Sequence, residues 1–332
     1  MEDAMPTRFL VSLGLALGCA APGLAAPQVA TDIAPVHALV ARVMDGVGEP
    51  ALIVPPGASP HGYSMRPSEA AALDRAGVVF WMGEGLTPWL AGPVATLAGD
   101  AHVVGLLGAG DSVVMAFREG VTFAAREQDG HDGSGHDGHD EDGHDEDGHG
   151  HDDHAHDDHA HDGTDPHAWL DPANARAWLG VIAAELAEHD PANAARYRAN
   201  AAAAREDLVT LEAEISARLA PLRDTPYLVY HDAYQYFEAR FGLAPEGALA
   251  LGDAADPGPA RIAALRDAAR EAGVVCVFGE PQFNGDRIAA IFGGSVGHGV
   301  LDPLGSRHAP GAALYPALLG DMAEALAECL GG

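Results

Sequence analysis

Three histidines of this sequence occupy positions from which they could bind one metal ion together. His61 ends a proline-rich turn after a predicted strand, His167 lies in the segment 164–172, and His231 directly follows a second predicted strand. All three precede predicted helices. Because ligands of open α/β folds bind at the carboxyl edges of the sheets, we expect the three imidazoles to lie close together. Any one of them by itself is more simply explained as a structural histidine.

Three imidazoles and one open coordination position suit Zn²⁺, with Zn–N bonds of about 2.0–2.1 Å. Nitrogen ligands disfavour Mn²⁺ and Ca²⁺, which prefer oxygen. The fourth ligand is either Asp302, at the end of the last predicted strand, or water. Glu84 and Glu280 also follow predicted strands. Each of these carboxylates would either orient a ligand imidazole or cap a loop.

A second group of histidines is concentrated in a low-complexity insert, residues 129–162. The insert holds ten of the 18 histidines and 14 acidic residues, without Lys or Arg. It has no apolar side chain larger than Ala, so it cannot bury a core and is predicted to be a disordered loop. An acidic spacer would not need histidine, so this composition indicates weak, auxiliary metal binding. Its histidines are His131, His136, His139, His144, His149, His151, His154, His156, His159 and His161.

Short β-branched runs alternate with alanine-rich stretches, a pattern typical of α/β folds with parallel sheets. The predicted strands are 28–32, 51–54, 78–81, 102–104, 227–230, 274–278 and 299–301. Asp190-Pro191 is a helix-start signal, and the stretch to Leu219 has no further Pro or Gly. We therefore predict a long rigid helix over residues 191–220. It would join two α/β lobes, residues 27–190 and 221–332, and the first lobe would contribute two of the three histidines and the second lobe one.

Length and composition agree with two lobes. The chain has 332 residues, of which 48% are hydrophobic, which is enough for two cores. Its formal net charge of −31 makes nucleic acids and anionic membrane surfaces unsuitable partners and makes cations suitable ones. We expect a monomer.

The N-terminal residues 1–26 have the pattern of an export signal. Arg8 precedes the apolar run 9–17, and small residues follow at 24–26. The alternative is a lipoprotein acylated at Cys19, although residues 16–19 are a poor match to the required motif. After export, Cys276 and Cys329 would remain in an oxidising compartment. They would form either a disulfide or two buried thiols.

Five sequence segments, taken together, are characteristic of one protein family. They are 56–61 with 66–68, 165–170 after the histidine-rich insert, 231–234, 279–283 and 301–305. With them the whole mature chain resembles the cluster A-I solute-binding proteins, and among these the zinc-binding components of ZnuA type. Residues 173–175 and the glycine-rich 292–299 depart from the family pattern. His298 and His308 are additional histidines, but neither replaces a family ligand.

The resemblance implies two Rossmann-like lobes joined by a long helix, with one metal in the cleft. It implies a periplasmic protein that delivers zinc to an ABC permease and its ATPase in the inner membrane. It also implies that Cys276 and Cys329 are disulfide-bonded. Manganese-binding relatives have a carboxylate where this chain has His231, so this position favours zinc.

Two other classes of function compete with this interpretation. A zinc hydrolase would also use three histidines and an open position, but the sequence lacks His-Glu-x-x-His and Gly-x-Ser-x-Gly, and Glu280 is the only candidate base. A metal-buffering or adhesin-type surface protein would depend mainly on the insert and would not need the two-lobed scaffold. We therefore predict a zinc-binding transport component that is not an enzyme.

Overall fold

The computed structural model of the protein describes residues 26–118, 120, 122–123, 163–250, 258–282, 285–293 and 296–332. The export signal predicted for residues 1–26, apart from residue 26, lies outside the described residues, as does Cys19. The histidine-rich insert predicted for residues 129–162 also lies outside them, with its ten histidines.

The first half of the chain forms a parallel sheet of four strands in the described residues, with the order β2-β1-β3-β4. Parallel neighbours need crossover connections, which here are mainly helical. The strands are β1 (Val29–Thr31), β2 (Ala51–Leu52), β3 (Val78–Trp81) and β4 (His102–Gly105). The helices are α1 (Ala34–Val43), α2 (Pro67–Asp74), α3 (Ala91–Leu97) and α4 (Pro172–His189).

The second half repeats this arrangement, with the strand order β6-β5-β7-β8 and all pairs parallel. Its strands are β5 (Tyr227–His231), β6 (Gly247–Ala250), β7 (Cys276–Gly279) and β8 (Gly297–Val300). Its helices are α6 (Gln235–Phe241), α7 (Pro259–Ala272), α8 (Gly285–Phe292) and α9 (Leu314–Leu330). The α/β fold is as predicted. Strand β6 was not predicted, because its sequence Gly-Ala-Leu-Ala has no β-branched residue.

Helix α5 (Ala194–Leu219) lies between the two halves and has 26 residues, which makes it about 39 Å long. Leu208, Ile215 and Leu219 form its buried face. The helix packs on α1 and α4 from the first half and on α6 and α9 from the second. One cluster of buried apolar side chains continues from the first sheet to the second. The lobe boundaries 27–190 and 221–332 stay a prediction.

A disulfide joins Cys276 on β7 to Cys329 on α9, with the Cα atoms 6.0 Å apart. It fastens the C-terminal helix to a central strand of the second sheet. The pairing implied by the family resemblance is thereby confirmed, and the alternative of two free thiols is wrong. Among the described helices, none combines the length and the apolar character needed to cross a membrane.

Candidate metal centre

The three predicted histidines converge at the carboxyl edges of the two sheets. One ring nitrogen from each of His61, His167 and His231 lies within 4.8 Å of the others. The ring centroids of the three pairs are 5.0, 5.4 and 5.9 Å apart. Within the described ranges, this is the only group of three or more His, Cys, Asp or Glu side chains with such geometry.

The loop that carries His61 is held from both sides. The carbonyl of Pro60 accepts a hydrogen bond from the indole of Trp89 at 2.7 Å. On the other side, the Tyr63 hydroxyl donates to the carboxylate of Glu69 at 2.9 Å, at the start of α2. The Tyr63 and Trp89 rings also pack edge to face, with centroids 5.6 Å apart. His61 is the most exposed of the three histidines, and these contacts fix its backbone at the mouth of the site.

His167 is buried, and Asp165 fixes the orientation of its ring. The Asp165 Oδ1 atom accepts from the His167 backbone N–H at 3.0 Å and is 2.7 Å from the ring Nδ1. With Nδ1 donating to this carboxylate, the lone pair is on Nε2. That Nε2 atom is buried and has no hydrogen-bond partner among the described residues. A buried nitrogen lone pair left in this way is suited to a metal ion.

His231 is the last residue of β5, and its Nδ1 atom lies 3.2 Å from Oε1 of Glu280. Glu280 follows β7 directly, and its other carboxylate oxygen accepts a hydrogen bond from Gln282. The carboxylate thus faces the outer nitrogen of the imidazole. Of the two roles considered for Glu280, the structure supports the orientation of a ligand imidazole. Glu84, the other carboxylate considered, is exposed to solvent.

Burial and the nearby Glu280 carboxylate raise the pKa of Tyr234 well above its ordinary value. This phenol is therefore neutral at physiological pH, and it donates to the carbonyl of Leu301 at 3.3 Å.

Asp302 is buried, but it does not belong to the group of converging ligand atoms. Its Oδ1 atom accepts from the Leu304 backbone N–H at 3.1 Å, and Oδ2 accepts from the Ser306 hydroxyl at 2.7 Å. These contacts stabilise the turn after β8. Direct ligation by Asp302 stays a prediction, with water as the alternative fourth ligand.

Asp165 is a residue of the site whose contact with His167 could not be predicted from the sequence. It stands two residues before His167, and the sequence places it beside the ligand without giving the direction of its side chain. The other histidines of the described chain contact different groups. His102 pairs with Glu185 at 3.0 Å and His308 with Asp321 at 2.7 Å, each away from the triad.

The donor set suits a single zinc ion. Two nitrogens bound to one tetrahedral Zn²⁺ lie about 3.3 Å apart, so the imidazoles need to approach each other by no more than about 1.5 Å. The His167 ring is hydrogen-bonded to a carboxylate, as is usual for metal-binding histidines, and the Glu280 carboxylate lies 3.2 Å from the ring of His231. Neutral nitrogen donors favour zinc over the oxygen-preferring Mn²⁺ and Ca²⁺.

Comparison with known proteins gives consistent results along the whole chain. The family model described as "Zinc-uptake complex component A periplasmic" matches residues 29–329. The high-affinity zinc uptake system protein ZnuA of Paracoccus denitrificans (strain Pd 1222) is 48% identical over 323 residues, which are 96% of this chain and 97% of the relative. The protein of the same name from Brucella abortus (strain 2308) is 44% identical over 326 residues, 97% of each chain.

Solved structures share the fold. A crystal structure of ZnuA superimposes with a TM-score of 0.70 at 24% identity, and the match covers 92% of this chain and 99% of that one. A zinc-bound ZnuA mutant lacking residues 138–173 of its own sequence gives a TM-score of 0.69 at 23% identity, with coverage of 92% and 98%. At these identities the likeness concerns the fold alone.

Proposed function

Because this chain belongs to the periplasmic zinc-uptake complex component A family, we propose that His61, His167 and His231 bind the Zn²⁺ ion that it captures. The protein is the zinc-binding component of an ABC zinc uptake system, and zinc is its cargo. The family is one of solute-binding proteins, whose partners are a membrane permease and its ATPase.

The observation that carries the assignment of ligands is the convergence of three imidazoles from three separate segments of the chain. Their ligand atoms lie within 4.8 Å of one another. Asp165 faces Nδ1 of His167, which leaves Nε2 of that ring as its metal-binding nitrogen, and Glu280 lies 3.2 Å from Nδ1 of His231. A site built in this way binds its ion tightly, because the ligands lose little conformational freedom on binding.

The fourth position is either filled by water or by Asp302 after a rearrangement of its turn. The present contacts of the Asp302 carboxylate with Leu304 and Ser306 favour water. An open or water-filled position is also an exit route for the ion. Protons compete with zinc for the imidazole nitrogens, so zinc binding weakens in acid.

The remaining features of this proposal follow from the sequence. Residues 1–26 act as a cleaved export signal, the mature protein is a monomer, and it catalyses no reaction. Glu280, the only candidate general base for a hydrolase, is engaged with His231 and Gln282. The insert 129–162 collects zinc weakly, as its composition of ten histidines and 14 acidic residues indicates.

The test is zinc binding by the purified mature protein after removal of its metal. We expect one zinc ion per chain to survive gel filtration, and we expect His61→Ala, His167→Ala or His231→Ala to weaken it by more than about 100-fold. His102→Ala is the matched control, since its imidazole pairs with Glu185 on the surface and lies outside the triad. Its zinc affinity should equal that of the wild type.

Excision of residues 129–162 separates the two classes of histidine. The deletion should remove several weakly bound ions and leave the tight one, as measured by calorimetry and metal analysis. Loss of the tight ion on deletion would assign it to the insert instead of the triad. Retention of wild-type affinity by any one of the three triad variants would remove that histidine from the site.

A further inference from the structure

The insert is attached to the body of the protein through a set of ordered contacts. We call residues 115–118, 120, 122–123 and 163–165 the insert root. Within it, Ala116 and Thr164 form an antiparallel bridge, and the Asp165 N–H donates to the Met115 carbonyl at 2.9 Å. The described residues on the two sides of the insert therefore contact each other directly.

The insert root also lies against the second sheet. Thr122 forms an antiparallel bridge with Gly247 on β6, an edge strand, and the Phe123 N–H donates to the Glu246 carbonyl at 2.9 Å. Arg261 on α7 donates to the Gly120 carbonyl at 3.3 Å. The first half of the chain thus extends across to the second half at this point.

Arg118 is the charged centre of this contact. Its guanidinium donates to both oxygens of Asp232, with Nε at 3.0 and 3.2 Å, and to Oε2 of Glu238 through Nη1 at 2.8 Å. The side chains of Asp232 and Glu238 are each only 4% exposed. The guanidinium also lies 4.0 Å from the ring centroid of Phe123, within the same root. Two buried carboxylates are therefore hydrogen-bonded to one arginine, and Arg261 adds a second positive charge near Asp232.

These contacts reach the segments that carry two of the metal-binding histidines. Asp232 directly follows His231, and Glu238 lies on α6, the helix after it. From the same helix, the Tyr236 hydroxyl donates to the Asp165 carbonyl at 2.8 Å and accepts from the Met115 N–H at 2.9 Å. Asp165 in turn orients His167. One network of contacts thus connects the insert root, the segment of His167 and the segment of His231.

We propose that Arg118 is a positioning residue of the metal centre, acting through Asp232 on His231, and that the insert root belongs to the scaffold of the cleft site. This inference rests on the proposed function. Bidentate pairing with a planar guanidinium fixes the Asp232 carboxylate in direction as well as in charge. The backbone between Asp232 and His231 is held by the same contact, so the imidazole keeps its place relative to that of His167.

The insert and its root then have different roles. Residues 129–162 serve only as the weak collector, whereas the root belongs to the structure that holds the tight ion.

The test compares Arg118→Met and Arg118→Lys with wild type in the full mature protein. Lysine keeps the charge but cannot form the bidentate pair. The matched control is Arg176→Met, which breaks a half-buried ion pair with Glu212 between α4 and α5 and contacts none of the histidine-bearing loops in its described interactions. Zinc affinity is measured by chelator competition, the dissociation rate by rapid mixing, ligand geometry by the visible spectrum of bound Co²⁺, and stability by urea unfolding.

We expect Arg118→Met to weaken zinc binding about 10- to 100-fold, to speed dissociation and to change the Co²⁺ spectrum. Arg118→Lys should give a smaller change of the same kind. Arg176→Met should lower the unfolding midpoint and leave zinc binding within about threefold. If Arg118→Met does not fold, Arg118→Lys decides the question through its spectrum and dissociation rate.

Wild-type zinc affinity and an unchanged Co²⁺ spectrum in folded Arg118 variants would overturn the inference. A loss of affinity in Arg176→Met equal to that in Arg118→Met would also overturn it, because the effect would then follow from general destabilisation. His231→Ala, measured alongside, distinguishes the two proposals. If it loses zinc while the Arg118 variants do not, the proposed function stands and only the role of Arg118 fails.

Discussion

The hydrogen bond between Asp165 and His167 offers the sharpest test of how the site holds its ion. Asp165 is 2% exposed, and its Oδ1 atom receives both the backbone N–H and the ring Nδ1–H of His167. In Asp165→Ala both donors lose their acceptor in a buried environment. The imidazole is then free to turn and to place the proton on either nitrogen.

The expected size of the effect follows from these contacts. Removal of a carboxylate that orients a metal-binding histidine weakens the metal by about 10- to 100-fold, which corresponds to about 1.4–2.8 kcal/mol of binding free energy. Each buried donor left without a partner also costs about 1–3 kcal/mol of folding stability. Asp165→Asn keeps an acceptor oxygen for the ring and loses only the charge, so its zinc affinity should lie between those of wild type and Asp165→Ala.

The assay is competition for zinc with a chelator of known affinity, together with urea unfolding of the metal-free protein. Asp171→Ala is the matched control. Asp171 is equally buried at 2% exposure, and it accepts from the Ala173 N–H at the start of α4 and pairs with Arg240. The Asp171→Ala variant should be less stable than the wild type and should keep the wild-type zinc affinity. The reasoning is refuted if Asp165→Ala binds zinc within about threefold of wild type while His167→Ala does not bind.

Two further outcomes are expected. Asp302→Ala should reduce zinc affinity less than any triad substitution, because water can occupy the fourth position, and a loss as large as that of His167→Ala would contradict this. A zinc-loaded crystal structure with the carboxylate oxygen about 2.0–2.2 Å from the metal would establish direct ligation by Asp302. Burial lowers the pKa of His37 below its ordinary 6.5, so the unfolded chain takes up a proton there first and stability is lost as the pH falls. Urea unfolding of the metal-free protein between about pH 7.5 and about pH 5.5 should therefore show a smaller loss of stability in His37→Gln than in wild type.

The convergence of the three histidines could be predicted because it depends on local patterns. His61 and His231 follow strands, and parallel strands bring their carboxyl ends to a common edge whatever the details of packing. The direction in which a side chain points cannot be predicted from such local patterns. Asp165 and Asp232 both adjoin a ligand histidine in the sequence, yet one faces an imidazole and the other faces an arginine. Only the packing of α6 against the insert root decides between these directions.

Other features of the fold could not be predicted from the sequence, because they also depend on tertiary contacts. Strand β6 consists of small residues and leucine, and it is a strand because β5 pairs with it. Arg118 lies in a stretch with no periodic pattern, and its partners come from more than a hundred residues further along the chain. Helix α5 was predicted as a connection between lobes. Its packing on helices of both halves depends on tertiary contacts that hydrophobic periodicity alone does not specify.

The continuous apolar core has a consequence for the order of folding during export. Helix α9 packs on α1 and α5, and the Tyr315 hydroxyl donates to the Trp169 carbonyl at 2.7 Å. Contacts between such distant parts of a chain form late, because a long loop must close first. The helical layer of the first sheet is therefore incomplete until the C-terminal segment joins it. The three histidines, two from the first half of the chain and one from the second, therefore come together only after both halves have folded.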